Sequence, residues 1–359
     1  MCALSFAFGP AQPPAPFYLS FYLSFYLSMP MPMPMPVSMS GPTPLSAPSA
    51  ATPYQPARPA SCEFVTLRAL RHHLRRWDAR QPATDAPPTV LLHGWMDVGA
   101  SWQFVVDALS QGFAEGRTLL APDWRGFGLT RPVPAPDSYA FHDYLGDLDQ
   151  LLAHCFGDQP VDLVGHSMGG NIAMLYAGVR PQRVRRLVNL EGFGMPATQP
   201  AQAAPRLAQW LDAIAALPGG AFALKSYDSA DSVAQRLVKT NPRLAPDKAA
   251  WLARHWAAPD ADGRWHILGD AAHKVPSASL YRVDETLAIH SAISAPVLAI
   301  EADSNSPEQW WKGRYSLAQY HERLKVVPDC RTAVVQHAGH MLHHDQPQAL
   351  AQLIEAFLR

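Results

Sequence analysis

The segment 161–173 constrains this chain more than any other. An apolar run, Val161-Asp162-Leu163-Val164, leads into Gly165-His166-Ser167-Met168-Gly169 and then into a helix-forming stretch over 171–179. A strand and a helix joined in one tight turn force the residue at the bend into strained backbone geometry and lift its side chain above the sheet. Glycine at 165 and 169 removes side chains that would collide across that turn. A nearly all-apolar strand also expects cover on both faces, so the motif already implies layered α/β structure.

The rest of the chain keeps the same rhythm. Residues 63–70 and 72–77 read as a first antiparallel pair. Thr89-Val90-Leu91-Leu92 is a short continuous apolar run ending in His93-Gly94-Trp95, followed by a helix predicted over 104–113. A strand at 118–121 ends in Pro122-Asp123-Trp124-Arg125-Gly126-Phe127-Gly128. A helix over 141–155 then places Phe141, Leu145, Leu148, Leu152 and Cys155 on one face. Strands follow at 187–190, 296–301 and 332–336, with a closing amphipathic helix over 347–358. Between 195 and 291 the alternation stops. That stretch is rich in alanine, carries Trp210, Trp251, Trp256 and Trp265, and reads as a helical cap inserted without strands of its own. The α/β core is therefore expected over 61–194 and 292–359, with the cap over 195–291. Strands linked by helical crossovers imply a mainly parallel sheet with helices on both faces, whose ligands sit at the carboxyl ends of the strands.

Residues 1–60 do not share this pattern. They hold 14 of the chain's 35 prolines and one charged residue, Arg58, and include three copies of Phe-Tyr-Leu-Ser followed by four of Met-Pro. This composition supports no packed core and reads as a disordered, low-complexity tail, with translation expected to begin within Met29 to Met39. No basic residue precedes its apolar run, as a secretory signal requires, and serine interrupts that run too often for it to span a bilayer. Lys+Arg at 29 nearly balances Asp+Glu at 30, leaving no basic field for a nucleic acid partner. Cys2, Cys62, Cys155 and Cys330 are widely spaced and form no CxxC, which argues against a disulfide framework or structural zinc and for a reducing, cytoplasmic setting.

The chemistry-bearing residues lie at predicted strand ends. Ser167 opens a helix, so the unpaired N–H groups of that first turn face charge developing on a bound carbonyl. An anionic tetrahedral intermediate needs two donors: one is expected from the N–H of Met168, the other from Trp95, where Gly94 permits close approach. Serine needs a base, and an imidazole titrating near pH 6.5 suits that task. Of 15 histidines, His340 is selected because it follows the last strand in Gly339-His340 and precedes the final helix. His337 remains an alternative, while His343 and His344 are expected to face solvent or the cap. His93 is expected to bond nearby loop backbone, and Asp123 and Arg125 to anchor turns. The orienting acid has two candidates. Glu191, at the end of the strand beside the elbow, is favoured, because a carboxylate on an apolar strand tip calls for a buried partner. Asp303, on the loop after the strand from Pro296, is its rival.

Taken together, His93-Gly94-Trp95, Asp123-Trp124-Arg125-Gly126-Phe127-Gly128, Gly165-His166-Ser167-Met168-Gly169-Gly170 and Gly339-His340 resemble the α/β-hydrolase superfamily. The resemblance is nearest to its capped serine-hydrolase-like and epoxide-hydrolase-like branch and covers about 61–359. It implies an α/β-hydrolase fold with an eight-stranded, mostly parallel sheet. It also implies a Ser–acid–His triad needing neither metal nor organic cofactor. Members with the acid after the sixth strand favour Glu191 by similarity. The chain departs from the common pattern at Asn305, where an aspartate is usual. Dehalogenases and epoxide hydrolases of this fold attack through aspartate where this chain has Ser167, so acyl transfer is the expected chemistry. The expectation is a serine hydrolase cleaving a small to medium apolar carboxylic ester through an acyl-enzyme. Its partner is a small-molecule ester or acyl substrate, without nucleic acid or stable membrane insertion. Thioester, amide or carbon–carbon hydrolysis, perhydrolysis, or a non-catalytic ligand sensor are the alternatives.

Overall fold

The computed structural model describes residues 53–80 and 86–359. The repeat-bearing segment and the expected translation start lie outside them, but residues 53–60, expected to belong to the disordered tail, are fastened to the core. The Tyr54 hydroxyl and the Arg58 N–H donate to Asp107, and the Arg58 guanidinium to the carbonyls of Val106 and Leu109. Eight strands form the main sheet: β1 (Ser61–Leu67), β2 (Leu70–Trp77), β3 (Thr89–Leu92), β4 (Leu119–Pro122), β5 (Val161–His166), β6 (Val184–Leu190), β10 (Val297–Ala302) and β11 (Cys330–Val335). Their order is β1-β2-β4-β3-β5-β6-β10-β11. The β1–β2 and β2–β4 pairs are antiparallel, and the others are parallel. Arg68 and Ala69, with φ of 48° and 57°, make the two-residue turn of the first hairpin, where left-handed backbone matches the twist of the strands.

Strand side chains alternate between two cores, as the two-residue period of a strand requires. Val90, Leu92, Leu120, Leu163, Leu187 and Ala299 pack on the face covered by helices Phe141–Phe156 and Met168–Val179. Leu91, Leu119, Val164, Val188, Leu298 and Ile300 pack on the opposite face, under helices Gln103–Ala108 and Pro347–Leu358. The predicted helix over 104–113 is two helices, Gln103–Ala108 and Gln111–Glu115. Leu109 between them is extended, and the hydroxyl of Ser110 caps the second by accepting the N–H of Phe113.

The inserted region differs from its sequence reading. It contains a small antiparallel sheet, β7 (Ser226–Tyr227), β9 (Trp265–Ile267) and β8 (Ala257–Pro259), too short to leave a periodic signal. Helices Ala230–Thr240 and Pro246–Trp256 set Val233, Leu237, Leu252 and Trp256 against Val98, Ala100 and Phe104 of the core. Helix Val283–Ser291 packs on Met168–Val179, where a Cβ on Gly178 would lie 2.1 Å from the carbonyl oxygen of Ile289. Among the described residues no helix is long and apolar enough to cross a membrane.

Candidate active site

Ser167 sits between β5 and the helix Met168–Val179 with φ 51° and ψ −113°, the strained bend expected of a strand-to-helix elbow. The close approach that demands glycine is explicit: a Cβ on Gly165 would lie 2.4 Å from the carbonyl oxygen of Gly169, and one on Gly169 2.3 Å from that of Leu92. The N–H of Ser167 donates to the carbonyl of Leu190 at 2.8 Å, fastening the elbow to the end of β6. Met168 is the first helical residue, so its N–H has no acceptor within the helix. Gly94 lies against the elbow, since a Cβ there would approach that of Ser167 to 3.3 Å. Trp95 follows it, half-buried against the main core.

Glu191 directly follows β6, also with positive φ (52°), and is only 2% exposed. Oε1 accepts the N–H of Ala302 at 2.8 Å. Oε2 accepts Nδ2 of Asn305 at 2.6 Å and Nδ1 of His340 at 2.7 Å. A carboxylate only accepts, so Nδ1 of His340 carries the proton and Nε2 holds the lone pair. Trp310 closes the shell: its ring lies edge-on to His340 at 4.0 Å, and its Nε1 donates to Oδ1 of Asn305 at 2.7 Å. His340 is held next to the elbow by its backbone. Its carbonyl accepts Nε2 of His166, the residue before Ser167, at 2.7 Å, and the two rings lie 4.7 Å apart.

Asp303 is placed differently. It is exposed, and its oxygens accept the N–H groups of His337 and Ala338 at 2.8 and 3.0 Å, bonds that bring its pKa below the usual carboxylate range. It holds the turn after β11, while Glu191 takes the imidazole. His337 is exposed with φ 57° and belongs to that turn. His93 is fully buried: its Nδ1 lies 2.7 Å from the carbonyl oxygen of Gly94 and its Nε2 accepts the N–H of Trp124 at 2.9 Å, tying the loops after β3 and β4 together. Asp123 accepts the N–H groups of Gly99 and Leu129, and Arg125 grips Asp147.

Of the expectation that His343 and His344 face solvent or the cap, solvent is overturned, while His344 lies on Phe104, the ring that Trp251 and Lys248 of the inserted region also meet. The two histidines are 0% and 5% exposed, because the short helix Leu342–Asp345 turns inward onto Trp102 and Phe104. Two participants escaped the sequence reading: His166 as the tether of His340, and Asn305 as a donor to the carboxylate. The amide at 305 was itself the available signal, since an amide can donate to a neighbouring carboxylate where a second carboxylate would repel it. The cap tryptophans are packing residues: Nε1 of Trp256 donates to the carbonyl of Met96 at 2.8 Å, and Trp251 meets Tyr54 and Phe104 edge-on.

Comparison with known proteins agrees with this architecture. Epoxide hydrolase 2 of Siraitia grosvenorii is 42% identical over 104 residues, covering 29% of this chain and only 32% of that protein, so the chain spans about a third of its length. A serine hydrolase-like protein of Danio rerio is 24% identical over 279 residues, covering 76% of this chain and 81% of the relative. Among solved structures, the thioesterase domain from the curacin biosynthetic pathway superposes with a TM-score of 0.69 at 23% identity, over 83% of this chain and 99% of that one, a likeness of fold. The family model described as alpha/beta hydrolase fold matches residues 87–347, most of the chain and every residue of the site just described. With the elbow, the sheet order and this match in agreement, the chain belongs to the alpha/beta hydrolase family.

Proposed function

We propose that this hydrolase-family chain is a serine hydrolase that cleaves a carboxylic ester of a small to medium apolar substrate through an acyl-enzyme. The observation that carries the reading is the 2.7 Å contact between Glu191 and His340 beside a serine at a strained elbow. Ser167 attacks the carbonyl carbon, and Nε2 of His340 takes its proton. The N–H groups of Trp95 and Met168 receive the oxyanion. His340 then protonates the leaving alcohol, and water activated by the same imidazole releases the acid. Glu191 fixes the tautomer and stabilises the imidazolium, while Asp303 keeps its turn. Residues 195–291 act as the cap over a small-molecule site. A cytoplasmic location suits Cys62, Cys155 and Cys330, all free thiols.

Similarity to epoxide hydrolases does not carry epoxide opening here, because a serine stands at the elbow. Labelling by a fluorophosphonate probe tests the reading, with Ser167→Ala as control and p-nitrophenyl esters of increasing chain length as substrates. Labelling lost in the variant, with turnover of short or medium esters, is the expected result. Labelling without ester turnover would shift the reading to thioester, amide or carbon–carbon chemistry. A folded protein that resists labelling would be a ligand sensor.

A further inference from the structure

Three buried side chains whose remaining polar atoms have no role in the acyl transfer meet beside Ser167 and His340. Asp97 lies on the loop after β3, His166 ends β5, and His343 sits in the helix Leu342–Asp345. They are 4%, 2% and 0% exposed. One ligand atom from each lies within 4.8 Å of the other two. Oδ2 of Asp97, Nδ1 of His166 and both ring nitrogens of His343 have no hydrogen-bond partner among the described residues. Buried polar atoms left this way are costly, so such a convergence calls for an occupant.

At two of the three residues, His166 and Asp97, the outward-facing atom is already arranged as in a metal's supporting shell. A ligating histidine ordinarily gives its other N–H to a carbonyl or carboxylate, and a ligating carboxylate is itself hydrogen-bonded. Here Nε2 of His166 donates to the carbonyl of His340 at 2.7 Å, and the hydroxyl of Ser101 donates to Oδ1 of Asp97. With Nε2 given to that carbonyl, Nδ1 is the atom of the neutral His166 ring that carries the lone pair. Gly94 leaves that atom approachable, since a Cβ there would sit 2.8 Å from it. Nε2 of His343 and Oδ2 of Asp97 are 3.5 Å apart. That is long for a charge-assisted hydrogen bond, about 2.7–2.9 Å. It is close to the edge of a tetrahedron built on bonds of about 2.0–2.1 Å, roughly 3.4 Å.

We propose that Asp97, His166 and His343 form a binding site for one divalent transition-metal ion of the zinc class, joining the β3 loop, the elbow strand and the His340 segment. Two imidazoles and one carboxylate suit zinc, copper or nickel and disfavour magnesium and calcium, which prefer oxygen shells. The ion is structural, taking no part in acyl transfer, and the site stands whether or not the chain is an esterase.

The test uses the full chain, stripped by chelator and titrated with Zn2+ against a chromophoric competitor, with elemental analysis after dialysis and thermal melts with and without the metal. Expected are one retained ion per chain, a higher melting temperature with zinc, and affinity reduced more than about 100-fold in both Asp97→Asn and His343→Gln, a loss beyond that of supporting-shell changes. His266→Gln, at the exposed contact with Asp260, is expected to bind as the wild type does. Failure of the folded wild type to retain an ion, as when water fills the cluster, overturns the proposal, as does retention undiminished in both variants. If the variants do not fold, Co2+ bound to the wild type decides: intense visible bands of a four- or five-coordinate site support the proposal, and the weak bands of a six-coordinate oxygen shell refute it.

Discussion

Replacing Glu191 by glutamine preserves the length of the side chain and removes one acceptor from a site where every partner donates. Ala302 donates to Oε1, and Asn305 and His340 both donate to Oε2. A glutamine offers one oxygen. If it faces His340, the new NH2 group confronts the N–H of Ala302; if reversed, it confronts both His340 and Asn305. Turning Asn305 gives no relief without losing its bond from Trp310. The better orientation loses one bond to a charged acceptor and weakens two others, each worth about 1.5–3 kcal/mol. Roughly 4 kcal/mol of support for a charged imidazole is therefore removed, which at 1.36 kcal/mol per decade is a rate loss of about 10³-fold. Carboxylate-to-amide replacement in other Ser-His-Asp triads costs up to about 10⁴-fold, so the figure is of the right order.

The rate of fluorophosphonate inactivation measures this without knowledge of the natural substrate, and kcat and KM on a p-nitrophenyl ester separate orientation from binding. The inactivation rate and kcat should fall together, with KM within about threefold, since the interaction lost is one strengthened in the transition state. Asp303→Asn should change the rate by less than about threefold. The reasoning fails if a folded Glu191→Gln protein keeps more than about a tenth of the wild-type rate, and Asp303 regains its candidacy if its own variant is the one that loses activity.

Other consequences follow from the same contacts. Asn305→Asp would set a second carboxylate where a donor now lies 2.6 Å from Glu191, so the pair must retain a proton near neutrality. The acid limb of the kcat/KM profile should move upward by about a unit or more, while Asn305→Gln leaves it in place. Gly165→Ala drives a methyl group to within 2.4 Å of the backbone at Gly169; soluble expression should collapse, or thermal stability fall by several kcal/mol at least, as a melt would report. His273 lies stacked between Phe127 and Tyr139 at 3.8 Å on either side, and burial lowers its pKa to about 3. The unfolded chain then takes up this proton first. Stability should decline as pH falls below about 6.5 and flatten near 3, by at most about 3 kcal/mol at pH 4, in urea titrations that His273→Phe makes less steep. Trp256→Phe loses the bond to Met96 and should cost about 1–2 kcal/mol by the same assay.

What the sequence reveals and what it hides divide along one physical line. The parallel strands were legible because burial on both faces makes them continuous apolar runs, and the elbow because close backbone contact admits only glycine at 165 and 169. The helix Pro347–Leu358 announced itself by its apolar stripe and initial proline. By contrast, strands of two and three residues in the inserted region are shorter than any period that could betray them. The break at Leu109 depends on Ser110, whose hydroxyl and N–H both bond Glu355, 245 positions away. His343 and His344 look like a polar pair at a helix start. Their burial is decided by where Leu342–Asp345 docks, against Trp102 and Phe104, and nothing in the local sequence records that docking.

The ambiguity between Glu191 and Asp303 has a geometric origin. β6 and β10 are adjacent and parallel, with Leu190 beside Ile300, so the loops leaving them start from nearly the same point at the carboxyl edge of the sheet. The N–H of Glu191 donates to Ile300, and the N–H of Ala302 returns a bond to the carboxylate of Glu191. A carboxylate launched from either strand can therefore reach one imidazole, and two cannot share it at this spacing without one becoming protonated. An uncharged donor at 305 removes the conflict and turns the former rival position into a support, while Asp303 is drawn to the backbone of His337 and Ala338. An amide after β10 together with a glutamate ending β6 is thus a single structural choice written at two positions. Relatives with a carboxylate at the position of Asn305 should carry a residue unable to ionise at that of Glu191.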